Sequence, residues 1–598
     1  MLVEFHPLEH EIIQRRETRA LPLPSMEPTN SLEKPQDEGA WVCDSSVDHK
    51  GRLPLRSSTG GWRASLFIIA IEFSERLSYF GLASNLILYL TKVLHEDMKT
   101  AAKNVNYWNG VTAMMPLVGG FIADAALGRF FTVISSSIIY ITGLTLLTLS
   151  QLVPRLKPCN ATACGSRSMG LHEVVFFLGI YLISLGTGGH KPSLESFGAD
   201  QFDDNYAEER KQKMSYFNWW NFAVSSGLIF GVTVVPYAHD AVGWWLVDVL
   251  LAGILCFSLV VFVAGKSFYR YRPPEGSPFT PMVQVMVAAV AKRGLPLPSD
   301  AGELYEAPKA EHSSDRLLCH TNKLRFLDKA AIIEHRDDAA AFVVERSNPW
   351  RLATVTQVEE LKLIIGMVPI WLSALPFGIV MSQASTFFIK QASIMDRNLG
   401  DFEIPAASVY ALGAIGMLVT VTLYDKILEP AMRRVTGRER GVSMLKRIGV
   451  GMAISSVAMA AAAVVERRRL TASAPVSVFW LVPQYTVMGL GDGFALVGLQ
   501  EYFYEQVPDG MRSLGIGFYL SVFGAGSFLS SLLITAVDRT TPWIARDLNG
   551  SRLDLFYWLV AALNAVNICG FVCLARSYSY KRVLQRKVAV ADSPEDDV

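Results

Sequence analysis

Charge is scarce in this sequence. Only 18% of its 598 residues are charged, and 55 Lys and Arg balance 55 Asp and Glu to a formal net charge of zero. No basic surplus exists to draw nucleic acid. With 51% hydrophobic residues, there is too little polar material to cover two or three soluble domains. Cysteine is equally sparse: seven, an odd number, with Cys256, Cys569 and Cys573 in apolar runs that suit small buried thiols. Only Cys159 and Cys164 share a polar loop, where they flank the sequon Asn160-Ala161-Thr162 and leave open a disulfide in a glycosylated, non-cytosolic loop. Catalytic signatures are missing too: no paired nucleophile and base, no metal-ligand cluster and no phosphate loop between strand and helix, so neither an enzyme nor a bound cofactor or metal is expected. The run Gly489-Leu490-Gly491-Asp492-Gly493 lies in an apolar segment with no preceding strand, and close helix packing or flexing accounts for it.

What the sequence has in abundance is apolar blocks of roughly 20 residues, the length that spans a bilayer as a helix. Six fall near 64–90, 105–124, 131–152, 172–190, 215–236 and 243–265, and six more near 360–389, 404–425, 443–465, 475–503, 514–536 and 554–575. The reading is an all-α membrane protein of about twelve spans in two six-helix bundles, 62–265 and 358–576. A charged stretch, 266–357, suits a cytosolic linker with amphipathic helices. Residues 1–61, polar and proline-bearing without an apolar core, read as a disordered cytosolic tail, and 577–598 as a second cytosolic tail. Lys and Arg between 426 and 447 and between 576 and 587 place both ends in the cytosol, although Arg467, Arg468 and Arg469 fall in a loop this topology puts outside. The connection Gly120-x-x-x-Asp124-x-x-x-Gly128-Arg129 is echoed in the second half by Asp425, Arg433, Arg434 and Gly437-Arg438. Such a turn can hold helix ends together through Arg and carboxylate, which assigns Asp124 and Arg129 to conformational gating. It is similar to the loop signature of the major facilitator superfamily.

Several charges stand where lipid would not tolerate them. Glu72, Glu75 and Arg76 lie inside the first apolar block, where they require a polar cavity and mutual pairing. At spacings of three and four, Glu72 shares a helix face with both partners. A carboxylate that loses its guanidinium when substrate recruits it becomes able to accept a proton. Lys191 in the first half and Glu501 in the second could form an inter-bundle pair that closes one side of a central cavity. His190 reads as a packing residue.

The motifs Glu72-x-x-Glu75-Arg76 with Ser78-Tyr79-Phe80-Gly81, Gly186-Thr187-Gly188-Gly189-His190-Lys191-Pro192, Phe197-Gly198-Ala199-Asp200-Gln201-Phe202-Asp203, Tyr216-Phe217-Asn218-Trp219-Trp220 and Leu318-Cys319-His320-Thr321-Asn322-Lys323-Leu324-Arg325-Phe326-Leu327-Asp328 together resemble the proton-dependent oligopeptide transporters. The closer likeness is to the plant nitrate and peptide transporter family. The resemblance runs from about Trp62 to Arg576. It implies a major facilitator fold, alternating access and proton symport of a di- or tripeptide or nitrate, with gibberellin transport or solute sensing without transport as alternatives. Partners would be the solute, protons and the lipid of a plasma or vacuolar membrane. By motif match, Glu72, Glu75 and Arg76 couple protons. Arg76, Tyr79, Lys191, Ser225 and Glu501 touch substrate, Ser225 standing where peptide carriers have an Asn. Thr132 matches a regulatory phospho-threonine, making a kinase a candidate partner. Met381 stands where nitrate carriers place a His, and the seventh span lacks the acid of bacterial peptide carriers.

Overall fold

The computed structural model describes residues 41–580 apart from 43, 154–155, 157–169, 275, 278, 299, 307–317, 335–347, 438–441, 509–511 and 579. The loop with Cys159 and Cys164 lies outside the described residues. In the first half, α1 (Gly61–Lys92), α2 (Met98–Ile122), α3 (Arg129–Leu152), α4 (Leu171–Ala199), α5 (Ala207–Val242) and α6 (Trp244–Ala264) form a bundle, and the linker contributes α7 (Phe279–Ala291). The second half holds α8 (Val355–Ala384), α9 (Phe387–Ala392), α10 (Tyr410–Leu423), α11 (Glu429–Thr436), α12 (Met444–Thr471), α13 (Val482–Gln506), α14 (Arg512–Thr540) and α15 (Leu553–Ser577). Among the described residues, 10 stretches are long and apolar enough to cross a membrane. Two more helices match them in length, α1 with 32 residues and α13 with 25, but carry Glu72, Glu75 and Arg76, and Asp492, Glu501 and Glu505. Those charges keep the two helices below the apolarity of the rest, and the pair completes the expected set of spans.

The halves repeat one another in packing. α3 lies against α4 and α2 against α4 in the first, as α12 lies against α13 and α10 against α13 in the second. α2 ends in a π turn, Ala123–Leu127, and α10 in another, Tyr424–Leu428. A π turn inserts a residue into the helical ladder and re-aims the side chains that follow. Gly128 closes the first with φ 75, a backbone conformation that glycine adopts without a Cβ clash.

Residues 41–60, expected in the disordered tail, are packed onto the first bundle. Bridges pair Trp41 with Leu55 and Val47 with Tyr271. Arg56 reaches Asp203 at 2.9 Å and Glu209 at 2.7 Å, and buried Arg270 binds Glu209 at 2.6 Å and the Thr59 carbonyl at 2.9 Å. From Asp44 a chain of ion pairs runs through Arg272 (3.1 Å) to Asp200 (3.5 Å), Arg129 and Asp124. The segment is held by charge pairing rather than by an apolar core, which is why composition alone reads it as tail.

The linker is likewise docked. Met282, Val285 and Ala288 of α7 join Leu327, Ala330 and Ala331 in the core of the second half. Behind them Lys362 binds Asp328 at 2.6 Å and Glu359 at 2.8 Å, and His320 meets Asp328 at 3.1 Å. The imidazole and two carboxylates stand close enough to hold a metal ion, but the Lys362 ammonium already pairs with both carboxylates, so the cluster is an ion-pair network. α8 starts on a capping box between Thr354 and Gln357, a reciprocal bond pair that satisfies two orphan amides.

Replacing Arg56 with Ala removes two charge-assisted bonds, each worth about 1.5–3 kcal/mol. Hydrogen exchange measured by mass spectrometry is expected to speed up across residues 41–60 by tenfold or more (roughly one such bond), while exchange in α12 and α15 stays as in the parent.

Candidate functional site

The charged residues of α1 form a buried cluster. Helical spacing sets Arg76 Nε 3.3 Å from Glu72 Oε1, and Arg76 Nη2 meets Glu75 Oε2. From α4 the Thr187 hydroxyl donates to Glu75 Oε1 at 3.1 Å. All three charged residues are at most 3% exposed. The guanidinium lies 5.4 Å from the Tyr79 ring, which stacks on Trp108 of α2 with centroids 5.7 Å apart. Gly227 of α5 permits the approach: a Cβ there would stand 2.7 Å from the Arg76 Cβ. Two carboxylates share one guanidinium, and Glu72 Oε2 has no hydrogen-bond partner among the described residues. Lys191 and Glu195 of α4 face the same set, so three carboxylates meet two cations and one negative charge is in excess.

Lys191 of α4 faces this cluster. The charges acting on it are Arg76, Glu72, Glu75 and Glu195, yet among the described residues it makes no ion pair. Glu195, one turn further on α4, was not singled out by its sequence motif. His190 is fully buried, as a packing residue would be.

A cavity of ≈ 180 Å³ lies between the halves beside Tyr79. The first half supplies Tyr79, Ser84 and Asn109, and the second Met381, Ser382, Ser385, Tyr410 and Ser527. Its lining is hydroxyl, amide, aromatic and aliphatic, with the charged cluster beyond Tyr79. Ser225 is half-buried on α5 and not part of this lining.

The two halves are tied together at one end. Lys99 pairs with Asp538 at 2.9 Å, Lys390 donates to Thr91 at 3.1 Å, Ser531 donates to the Lys103 carbonyl at 3.2 Å, and the Met98 amide donates to the Arg546 carbonyl at 3.1 Å. This is the end away from the linker. At the other end the expected pair of Lys191 with Glu501 is not formed. Glu501 instead lies 3.7 Å from Arg447, whose guanidinium sits 3.8 Å over the Tyr424 ring.

That arrangement repeats the first half. Arg129 joins Asp124 on the π turn (3.4 Å) to Asp200 at the end of α4. Arg447 joins Tyr424 on the second π turn to Glu501 near the end of α13. Arg433, the sequence counterpart of Arg129, pairs at 2.6 Å with Glu429 on its own helix, because an acid at i−4 reaches it first. Glu501 is thus part of a staple within its own bundle. Thr132, in the first turn of α3, donates to the Gly128 carbonyl at 2.9 Å and is 3% exposed, so a kinase cannot reach it in this conformation.

The structure brings forward a residue that sequence reading had assigned to packing alone. Asp492, among the glycines of α13, is buried and forms no ion pair among the described residues, and its Oδ1 has no hydrogen-bond partner there. Tyr410, which lines the cavity, and Tyr519 lie near it. The signal was present: a lone acid in an apolar helix.

At the tied end, the Asn104 amide donates to both oxygens of Glu96 in the loop between α1 and α2, at 2.9 and 3.0 Å. Burial nevertheless pushes the Glu96 carboxyl up to about 7. A carboxyl raised on folding holds its proton longer folded than unfolded, so its contribution to stability falls as pH rises from the ordinary carboxylate range through about 7.

Two long bundles around a cavity, with buried charge at its edge, define a membrane transporter. The match to known proteins gives the family. The model of the POT family (PTR2) matches residues 130–547, and the chain belongs to that family. It is a family of transporters, not enzymes, and the chain is an integral membrane protein. From Arabidopsis thaliana, Protein NRT1/ PTR FAMILY 5.6 is 57% identical over 556 residues, covering 92% of this chain and 96% of the relative. Protein NRT1/ PTR FAMILY 5.7 is 54% identical, covering 95% and 96%. Among solved structures, an auto-inhibited POT family peptide transporter superposes with a TM-score of 0.64 at 19% identity, covering 88% of this chain and 98% of that one. At that identity the likeness speaks for the fold.

Glu96→Gln is expected to remove the pH dependence of amide protection, exchange measured relative to the intrinsic rate at each pH, in the loop 93–97. In the parent, protection there should fall between pH 5 and 8, and a loop equally pH-dependent in the variant would contradict the assignment.

Proposed function

We propose that the chain is a proton-coupled symporter that carries a small anionic or zwitterionic solute, a di- or tripeptide or nitrate, through the cavity by alternating access. The observation that carries this reading is the buried set of Glu72, Glu75 and Arg76 beside the cavity, two carboxylates to one guanidinium. One proton satisfies the unmatched charge. With that proton on a carboxylate, Arg76 is released toward Tyr79 and an anionic group of the cargo. Lys191, without an ion pair among the described residues and facing the same cluster, supplies a second cation for the cargo.

Alternating access then needs the tied end to part and the other end to close. Asp492 is the partner we assign to Lys191 in that closure, in place of Glu501, because Asp492 is buried and has no ion pair among the described residues while Glu501 is held by Arg447. Met381 in the cavity wall cannot donate a hydrogen bond to nitrate, so nitrate would be held by Arg76, Lys191 and the hydroxyls. Protons are the coupling ion and no cofactor takes part. The membrane is the plasma or vacuolar membrane. Phosphorylation of Thr132 by a kinase would require the α3 start to open.

In cells expressing the chain, cargo should evoke an inward current that grows as external pH falls. A solute sensor would bind without current, and competition among peptides, nitrate and gibberellin identifies the cargo. Glu72→Gln and Arg76→Ala should each abolish proton-driven uptake with the protein folded and in the membrane; full uptake by either sinks the coupling scheme. Asp492→Asn should cut uptake at least tenfold, the scale of a lost charge-assisted bond of about 1.5–3 kcal/mol. Glu501→Gln should cost less than about fivefold, as a partly exposed pair is worth 0–1 kcal/mol.

A further inference from the structure

The ties between the halves are not equivalent. Lys99 with Asp538 and Lys390 with Thr91 lie at the tied end, away from the cavity lining. One tie is built into the cavity wall itself: the Asn109 side-chain amide of α2 donates to the Ser385 hydroxyl at the end of α8, at 3.2 Å, and both residues line the cavity. One helical turn away, Asn106 donates to Ser530 of α14 at 3.1 Å, and Gln383 donates to the same hydroxyl at 3.1 Å. That second layer is buried and away from the lining. The spacing of Asn106 and Asn109 puts both on one face of α2, one amide shielded and the other in contact with the cavity.

We propose that the Asn109–Ser385 hydrogen bond is a tie that cargo replaces, making these two residues the positioning pair through which occupancy loosens the tied end. The proposal rests on the transport reading above. A cargo group with planar oxygen acceptors, such as a carboxylate, nitrate or peptide carbonyl, accepts from the Asn109 amide and from the Ser385 hydroxyl at once. A group seated between the two side chains holds them further apart than their 3.2 Å contact, and the Ser385 hydroxyl turns from the Ser382 carbonyl, to which it donates at 3.4 Å, to the cargo, so the direct bond between the halves is lost. Two neutral hydrogen bonds, Asn109 to Ser385 and Ser385 to the Ser382 carbonyl, exchanged for two of similar strength are close to balanced, so the switch is reversible. Aliphatic compounds of the same size lack acceptors and would leave the tie in place.

The test reads opening of the tied end independently of transport. Ser531, fully buried there with its hydroxyl on the Lys103 carbonyl, is changed to Cys to give the parent protein. Maleimide labelling at position 531 is followed by mass spectrometry on purified protein in nanodiscs. Without cargo, Asn109→Ala and Ser385→Ala should each label about fivefold faster than the parent, the effect of one lost hydrogen bond. Ser385→Thr, which keeps the hydroxyl, should label as the parent does. Nitrate or dialanine, whichever drives uptake by the parent, should speed labelling of the parent and leave both Ala variants little changed. Unchanged labelling of the Ala variants without cargo overturns the proposal. So does a cargo effect equal in parent and variants, or no cargo effect in a parent that transports that cargo. If neither probe drives uptake, the choice of peptide and nitrate as cargo falls, while the cargo-free labelling still decides whether Asn109 and Ser385 hold the tied end shut.

Discussion

Putting charge into a bilayer is the constraint on which this structure turns. Lone ionised groups at membrane depth cost several kcal/mol, and α1 carries three of them. They are tolerated because they bond to one another, because Thr187 and Tyr79 surround them, and because Gly227 lets α5 close over Arg76. The pairing is incomplete by one charge. A network with every member satisfied would be rigid; this one is left with a deficit that a proton can fill.

The same economy of charge recurs at the linker end of each bundle. Arg129 and Arg447 each tie a π turn to the end of a neighbouring helix, one through two carboxylates and the other through an aromatic ring and a carboxylate. The two halves preserve the geometry while differing in chemistry. A guanidinium can satisfy either kind of partner, since its plane stacks on rings and its edge bonds carboxylates.

Much of the fold was legible. Blocks of apolar residues announced the helices, and charges inside them announced α1. The packed segment 41–60 was not legible, since the partners of Arg56, Asp203 and Glu209, lie about 150 residues away, and no local pattern reports such pairing. The pairing of Glu501 with Arg447 in this conformation was not legible, because spacing along a helix says nothing about which charge on a neighbouring helix is nearer. Asp492 was set aside because its glycine neighbours suggested packing, and they do pack closely: a Cβ on Gly491 would meet Ser455 Oγ at 2.5 Å. The glycines and the acid belong to one design, in which close helix contact buries the carboxylate. Asn109 carried no sequence signal, as polar uncharged residues are common in spans and only the facing helix distinguishes a tie from a solitary side chain.

The linker is attached to both sides of the moving boundary. Phe279 at the start of α7 lies against Phe121 of α2, ring centroids 5.6 Å apart, while Met282, Val285 and Ala288 on the buried face of α7 pack into the core of the second half. Two bodies that rock against each other cannot both keep such a contact. In the proposed alternating-access cycle the Phe279 ring would therefore peel from Phe121 and reseat, and the linker's grip on the first half would favour one resting posture over the other.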